Sequence, residues 1–165
     1  MNIMQEIRGT RLIHLFDARL QYQSDMEAVV PGENREGVLI GVGHGVVTGD
    51  EMRGKIRWVL YSGNCDYVYV QAGIEPPPGQ HLCTVNPGGV IKTDDGAEIW
   101  FDAKGYGLRG ADETDPHMWT LTMAVQFKTA DERYVWLNNT LGTIISRFDE
   151  KSGSALWQIH MPQTS

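Results

Sequence analysis

Apolar and polar side chains alternate along most of this chain, with the two-residue period of β-strands. The alternation is clearest over 118–129, where Trp119 begins a series of apolar residues on one face. Gly, Pro, Asn and Asp separate such runs, as they do at turns, and the polar stretch 24–37 reads as a loop. The predicted strands are 12–22, 38–48, 52–61, 65–72, one long broken strand made of 81–86 and 90–93, then 97–103, 118–129, 139–148 and 154–160.

One stretch near the C-terminus changes period. Over 130–138 the apolar residues fall at helical spacing and Asp131 can cap the first turn, which predicts one short helix. Long strands with regular turns favour a closed barrel over an open sheet. We therefore predict an all-β fold, a single antiparallel β-barrel of about eight to nine strands. The barrel domain would span 12–161, after a flexible leader at 1–11.

Two turn signals mark the middle of the chain. Asp94-Asp95-Gly96 separates 90–93 from 97–103 and predicts a hairpin, because Gly accepts the positive φ of such turns. The two carboxylates are a candidate acid pair, but their place beside the glycine favours turn chemistry. Pro87-Gly88-Gly89 interrupts the preceding strand. Since proline cannot donate a ladder hydrogen bond, a bulge or sharp bend is predicted there.

Glycines stand at every second position of the predicted strand 38–48, at Gly41, Gly43 and Gly45. A strand face without side chains indicates strong curvature or the close approach of another group. His44 lies among these glycines, so its ring would have unusual room.

Charge and composition restrict the classes of partner. The chain carries 14 Lys and Arg against 21 Asp and Glu, a formal net charge of −7. This charge disfavours nucleic acid and anionic membranes, because both attract clustered cations. No apolar run approaches the roughly 20 residues of a membrane helix, and the first residues, MNIMQEIRGTR, lack the apolar core of a secretory signal. We therefore expect a cytoplasmic protein without nucleic-acid or membrane partners.

The sequence contains no motif for a metal or a cofactor. Cys65 and Cys83 form no metal-binding spacing, and the five histidines are scattered. A phosphate-binding loop and a nucleophile elbow are also missing. A metal site assembled across strands stays open, but we predict neither metal nor cofactor. An enzyme of this kind would use proton transfer, elimination, decarboxylation or cyclisation in a dry cavity.

Four segments together resemble one bacterial family. TDDGAEI at 93–99 looks like that family's TDDGA hairpin, and YVWLNNTL at 134–141 is similar to its helix before the last hairpin. Arg53-Gly54 and the aromatic residue after Asp66 also fit. In order and spacing they resemble the family known as domain of unknown function 3237, over most of the chain. The resemblance implies a small antiparallel barrel of the allene-oxide-cyclase-like or lipocalin-like kind, and almost no biochemical function.

The chain departs from this family's pattern at three places. Asn86-Pro87-Gly88 stands where the family usually carries Asp-Ala-Arg, and Thr122 where it often carries Arg. His44 occupies a position that is commonly Gly. We infer that two charged interior positions are lost and a titratable ring is gained. This predicts a pocket for a less charged ligand, and substitution of Asn86 and Thr122 should change ligand affinity.

Three residues are candidates for catalysis. His44 would transfer the proton, because imidazole titrates near neutral pH. Asp66 could orient His44 or take the proton itself, and Tyr61 could polarise a substrate oxygen. Each has an ordinary structural alternative in a hydrogen-bonded His, a turn Asp or a packed aromatic ring. The candidate substrate-binding residues are Trp58, Tyr69, Asn86, Trp100, Lys104 and Trp119, and Lys104 or Arg109 could hold a carboxylate or phenolate.

Three functional hypotheses follow. The first is a cofactor-independent lyase, isomerase or cyclase, acting by acid/base proton transfer on a small aromatic or polyketide-like ligand in the barrel cavity. The second is a non-catalytic barrel that binds a small hydrophobic ligand. The third is a structural oligomeric barrel with a filled interior. Surface aromatics, together with the resemblance to cyclase-like barrels, also predict a homo-oligomer, either a dimer or a trimer.

Overall fold

Eight long antiparallel strands close into a barrel in the computed structural model, which describes residues 11–23, 27–29, 38–63, 66–76, 78–111 and 114–163. Neighbours around the wall follow the order β1-β9-β8-β7-β6-β5-β4-β3, and β1 pairs with β3 to close the ring. The short β2 pairs with β3 only. The strands are β1 Leu12–Tyr22, β2 Glu27–Val29, β3 Val38–Thr48, β4 Arg53–Gly63, β5 His81–Thr93, β6 Glu98–Arg109, β7 Met118–Lys128, β8 Leu141–Asp149 and β9 Ser154–Pro162.

Two short helices accompany the strands within the described ranges. Helix α1 covers Tyr67–Gln71, and a 3₁₀ helix covers Val135–Asn139. The predicted barrel and the short helix near the C-terminus are thus confirmed, although that helix is 3₁₀ and begins after Tyr134. None of the helices in the described ranges is long and apolar enough to cross a membrane. Residues 1–10 of the predicted leader lie outside the described part.

The barrel has two distinct ends. Strands β1, β4, β6 and β8 finish at one end, which we call the Asp66 end. The opposite end contains the β5–β6 turn around Asp95 and the 3₁₀ helix, and we call it the Asp95 end. The core lies between them, because inward and outward residues alternate along the long strands and most of the inward ones are apolar or small.

The segment 65–72 was predicted to be a strand, and this prediction is wrong. Its described part contains α1, in which the backbone amides of Tyr69 and Val70 bond to the Asp66 carbonyl. The alternating aromatic and β-branched residues favour a strand locally. However, β4 and β5 pair directly with each other, so no edge is free between them. The segment therefore crosses the Asp66 end instead.

The expected bulge at Pro87-Gly88-Gly89 is also absent from the structure. Strand β5 runs unbroken, and its register against β6 is the same at Val85↔Gly105 and at Gly88↔Asp102. The loss of the proline amide therefore interrupts the ladder without inserting a residue. A register shift does occur in β1 between His14 and Phe16, where the pattern had suggested an even strand.

Two glycines have clear structural reasons. Gly43 faces inward, and a Cβ there would lie 2.3 Å from Cζ2 of Trp58 and 2.6 Å from the Gln21 carbonyl oxygen. The glycine-rich face thus makes room for the Trp58 indole rather than for His44. Gly96 has φ of 93°, as the predicted Asp-Gly turn requires, and the flanking hairpin is confirmed.

Candidate functional site

A buried ionic cluster lies at the Asp66 end. Asp66 is positioned just before α1, and its Oδ2 lies 2.9 Å from Nη2 of Arg109 and 2.8 Å from Nδ1 of His81. The guanidinium of Arg109 also donates to the Pro116 carbonyl over 2.5 Å. Asp66 and Arg109 are almost fully buried. Buried charges need close partners of opposite sign, and the Asp66 carboxylate and the Arg109 guanidinium are such partners for each other.

The geometry of His81 is that of an oriented base. The ring sits on the first residue of β5, at the rim, where 19% of the side chain is exposed. Because Nδ1 faces a carboxylate, its hydrogen-bond pattern puts the proton on Nδ1 and leaves a lone pair on Nε2. An imidazole held by an aspartate in this manner can accept a proton at its other nitrogen.

The cluster continues onto β7 through Trp119. The Arg109 guanidinium carbon lies 5.5 Å from the centroid of the Trp119 ring, a cation–π arrangement. The indole Nε1 donates to Oε1 of Glu150, which is 1% exposed. The Trp119 ring thus lies between a buried cation and a buried carboxyl group.

His117 forms a second histidine contact at this end. Its Nε2 lies 3.0 Å from Oε2 of Glu75, and its carbonyl accepts from the Glu150 amide. The buried Nδ1 of His117 has no hydrogen-bond partner among the residues described. The neighbouring Asp149 has a lowered pKa, because burial, which raises it, is outweighed by hydrogen bonds from Ser152 and Lys151 and by the charge of His117.

Beneath the ionic cluster is an aromatic cavity. Its walls come from six strands and include Tyr22, Phe148 and Trp119 together with Ser62 and Cys83. The free space is about 10 Å³, roughly what one water molecule needs. The Tyr67 ring of α1 fills the mouth, with its centroid 6.2 Å from Tyr22 and 5.9 Å from Phe148.

Two polar atoms lie one layer deeper. Trp58 and Ser146 occupy inward positions two residues below Leu60 and Phe148, which line the cavity. Within the described part of the chain, Nε1 of Trp58 and Oγ of Ser146 have no hydrogen-bond partner. Buried polar atoms of this kind are rare, and they offer a hydrogen bond to a ligand or water.

Comparison with known proteins identifies the family. The sequence model described as "Protein of unknown function (DUF3237)" matches residues 10–159. The chain belongs to this family. No curated protein matches the sequence.

Solved structures share the barrel fold of this DUF3237 protein. A beta-barrel like protein from Acinetobacter baumannii AYE superposes with a TM-score of 0.73 at 17% identity, covering 93% of this chain and 96% of that chain. A conserved protein of unknown function from Rhodopseudomonas palustris gives 0.70 at 15% identity, with coverages of 93% and 98%. A structure described as an enzyme from Penicillium herquei gives 0.57 at 20% identity, with coverages of 91% and 94%. At such identities the likeness shows the fold alone.

Of the residues predicted from the sequence, three lie near the cavity of this DUF3237 barrel. Asp66 belongs to the ionic cluster, and Trp58 and Trp119 point inward. Tyr69 is half-buried on α1. Cluster and cavity therefore contain part of the predicted site, but with His81 and Arg109 as the partners of Asp66.

The other predicted residues lie on the outer wall, outside the cavity in which the ligand was expected. The side chain of His44 is exposed, because β3 turns Gly43 and Gly45 inward and His44 outward. Asn86 and Thr122 also occupy outward positions, which contradicts the inference that two interior charges had been lost. The remaining outward residues are Tyr61, Trp100 and Lys104.

Sequence reasoning undervalued His81 and Arg109. His81 shares strand parity with the buried Cys83 and Val85, which was a usable signal for an inward ring. Arg109 and Lys104 stand five residues apart in one strand, so they must face opposite sides. Tyr67 was noted only as an aromatic residue after Asp66, and Glu150 gave no local signal, since the crossing of the barrel end and the geometry of a turn place them. In the described ranges no group of three or more His, Cys, Asp or Glu could hold a metal ion.

Proposed function

We propose that the protein is a cofactor-independent lyase, isomerase or cyclase that transfers a proton on a small aromatic or polyketide-like ligand. The observation that carries this proposal is the Asp66–His81 pair, 2.8 Å apart, at the mouth of an aromatic cavity. His81 accepts the proton at Nε2, while Asp66 holds the ring and stabilises the imidazolium that forms. The fungal neighbour described as an enzyme adds support at the level of the fold.

Arg109 has the second role in this proposal. Its guanidinium is buried beside Asp66 and over the Trp119 ring. A ligand oxygen that gains negative charge as its carbon loses a proton is stabilised by a nearby cation in a dry site. Trp119 then supplies the wall against which an aromatic ring packs.

A simple elimination tests the proton-transfer step. With 5-nitrobenzisoxazole, a base removes the ring C–H proton, the electron pair forms the nitrile, and the N–O bond breaks to release a phenolate. The reaction needs no cofactor and its product is coloured. We expect the native protein to accelerate it and His81→Gln to lose at least tenfold in kcat/KM, because Gln cannot accept the proton.

His44→Gln is the matched control. Its side chain is exposed on the outer wall, so we expect unchanged rates. Loss of the reaction in His44→Gln, with full rates in His81→Gln, would restore His44 as the proton-transfer residue. Equal rates for the native protein and His81→Gln would reject the proposed mechanism.

One observation favours the alternative of a structural barrel with a filled interior. The free space beneath Tyr67 is only about 10 Å³, as expected for an interior filled by its own side chains. A protein that binds aromatic probes without any His81-dependent turnover would be a ligand-binding barrel. A protein that neither binds nor reacts would be the structural barrel.

We also propose self-association through the outer wall. A strip of large apolar side chains there, which we call the outer strip, is exposed to 42–60%. Asp102 and Lys104 lie two residues apart on β6 beside this strip, so two antiparallel copies of β6 can pair their charges. The outer strip consists of Ile40, Val59, Tyr61, Leu82, Tyr106 and Leu108.

Light scattering coupled to gel filtration tests this association. We expect Tyr106→Arg to shift a dimer or trimer to monomer, since it buries a charge in an apolar contact. Val135→Arg, a similarly exposed apolar position at the Asp95 end, should change nothing. A native monomer at micromolar concentration would contradict the proposal.

A cytoplasmic location and the lack of nucleic-acid or membrane partners also stay proposals, supported by the net charge of −7.

A further inference from the structure

The Tyr67 ring occupies an unusual place for a residue of a short crossing helix. It completes a three-ring layer, in which Tyr22 and Phe148 are 4.6 Å apart and Tyr67 packs on both. The Tyr67–Tyr22 interplanar angle is 29° and the Tyr67–Phe148 angle is 35°. Two rings are therefore contributed by the barrel wall and one by the segment that crosses its mouth.

The crossing segment, residues 66–76, is held by few buried side chains. Asp66 and Tyr67 are buried at its start and Pro76 at its end, whereas Gln71, Ala72 and Ile74 are exposed. Asp66 fixes the segment on the β5–β6 side through His81 and Arg109. The Tyr67 hydroxyl reaches toward the β8–β9 turn, 3.7 Å from where a Cβ of Gly153 would be. Withdrawal of the Tyr67 ring would open the mouth while the ionic anchor stays in place.

The cavity below the Tyr67 ring has features of a binding site. Ser146 Oγ and Trp58 Nε1 are buried, face inward and lack a hydrogen-bond partner among the described residues. The walls around Tyr22 and Phe148 are apolar. The Tyr67 ring fills the mouth of this cavity, while two buried polar atoms below it lack hydrogen-bond partners. This arrangement is expected if a polar aromatic ligand can bind in the place that the Tyr67 side chain occupies.

We infer that Tyr67 is an internal stand-in for the ligand, and that a phenol-like ring binds in its place between Tyr22, Phe148 and Trp119. This inference rests on the proposed function for the identity of the reacting end, since His81 and Arg109 flank the same mouth. It narrows the ligand class to molecules with at least one flat six-membered aromatic ring that carries a hydroxyl or similar polar group. Ligand affinity is then set by competition with Tyr67, because only the open form is competent to bind.

Side-chain replacement by 4-methylphenol tests the inference, because this molecule reproduces the Tyr67 side chain. Tyr67→Ala should bind 4-methylphenol at least tenfold more tightly than the native protein, as measured by calorimetry. Its melting temperature should rise with 4-methylphenol more than that of the native protein, since a ligand that binds only the folded state stabilises it. Gln71→Ala, at an exposed position of the same helix, is the matched control and should behave as native.

The outcomes separate the inference from the proposed function. Equal affinity in the native protein and Tyr67→Ala overturns the inference, while the His81→Gln comparison with 5-nitrobenzisoxazole still decides the chemistry. Tight binding by Tyr67→Ala without any His81-dependent reaction supports the ring site and rejects the proposed catalysis. If Tyr67→Ala does not fold, Tyr67→Leu serves instead, because it keeps an apolar side chain and removes the ring. Failure of the folded Leu variant to gain affinity for 4-methylphenol overturns the inference equally.

Discussion

The two ends of the barrel treat their charged residues in opposite ways. At the Asp95 end, Asp95 accepts hydrogen bonds from Thr93 Oγ1 at 2.5 Å and from the Tyr134 hydroxyl at 2.8 Å, and it lies 3.1 Å from Arg133. Asp95 and Arg133 are about half exposed there. At the Asp66 end, Asp66 and Arg109 are almost completely withdrawn from water. Water can therefore screen the first group of charges and not the second.

This difference distinguishes Asp95, which stabilises a turn, from Asp66, which belongs to the candidate functional site. The pKa of Asp95 is lowered by its hydrogen bond from Thr93 first and by Tyr134 second, which describes a satisfied carboxylate that stays ionised. Its hydrogen bond from Tyr134 ties the β5–β6 turn to the residue just before the 3₁₀ helix. Asp66 instead shares one oxygen between a histidine and an arginine beside a cavity. Buried and convergent groups of this kind are where acid/base chemistry is expected.

Removal of the central carboxylate at each end gives the largest predicted contrast. Asp66→Ala leaves the buried Arg109 guanidinium without its counter-ion and His81 without its partner. We expect a loss of about 3–5 kcal/mol in the free energy of unfolding, measured by urea denaturation. Asp95→Ala removes exposed contacts and should cost much less.

The comparison fails if the two alanine variants lose equal stability. If Asp66→Ala is too unstable to purify, Asp66→Asn provides the measurement, because it keeps the shape and removes the charge. Asp66→Asn should still lose the proton-transfer reaction, whereas Asp95→Asn should retain it.

Most of the fold could be predicted from the sequence, because alternation and turn residues act locally. The hairpin around Gly96 and the strands on both sides of Gly153 needed only neighbours in sequence. Segment 65–72 was misassigned because its local alternation favours a strand, while the pairing of β4 with β5 excludes one. Such pairing is a property of the closed barrel.

The candidate site was less predictable, because its members come from separate segments. Asp66 could be singled out alone, but its neighbours, His81 and Arg109, are 15 and 43 residues further along the chain. The alternation of side chains along a strand decides which of them point into the barrel. His44 was predicted to serve the cavity because the wrong face of its strand was taken as the inner one. The conspicuous pair Asp94-Asp95 was correctly read as turn chemistry, since Gly96 supplied a local reason.

A neutral hydroxyl should matter more than the exposed charges at the Asp95 end. Thr93 is buried, and its Oγ1 accepts from the Ala97 amide at 2.8 Å. Thr93→Val keeps the shape but leaves that buried amide without its acceptor, which should cost about 1–3 kcal/mol of stability. Thr122→Val, at an exposed position of β7, is the control and should be close to neutral. Equal effects of the two substitutions would show that the turn does not depend on this hydrogen bond.

The smallest predicted effect is a pH dependence at the same end. Hydrogen bonds from the Arg133 side chain and backbone lower the pKa of Asp131 to about 2, from an ordinary value of 3.8. Because the folded pKa lies below the unfolded one, Asp131 stabilises the fold above about pH 4, and this contribution is lost as the pH falls through about 2.

Asp131→Asn removes the titrating carboxyl group, so comparing its stability with that of the native protein measures the contribution of Asp131. The native protein should be more stable than Asp131→Asn near neutral pH, and the difference should shrink as the pH falls toward about 2. Added salt should shrink it as well, because Arg133 is half exposed. The same salt should leave the stability difference between the native protein and Asp66→Asn nearly unchanged, since water does not reach that pair. A salt response of equal size at both ends would mean that Asp66 and Arg109 are screened by solvent, and a desolvated proton-transfer site could not then lie there.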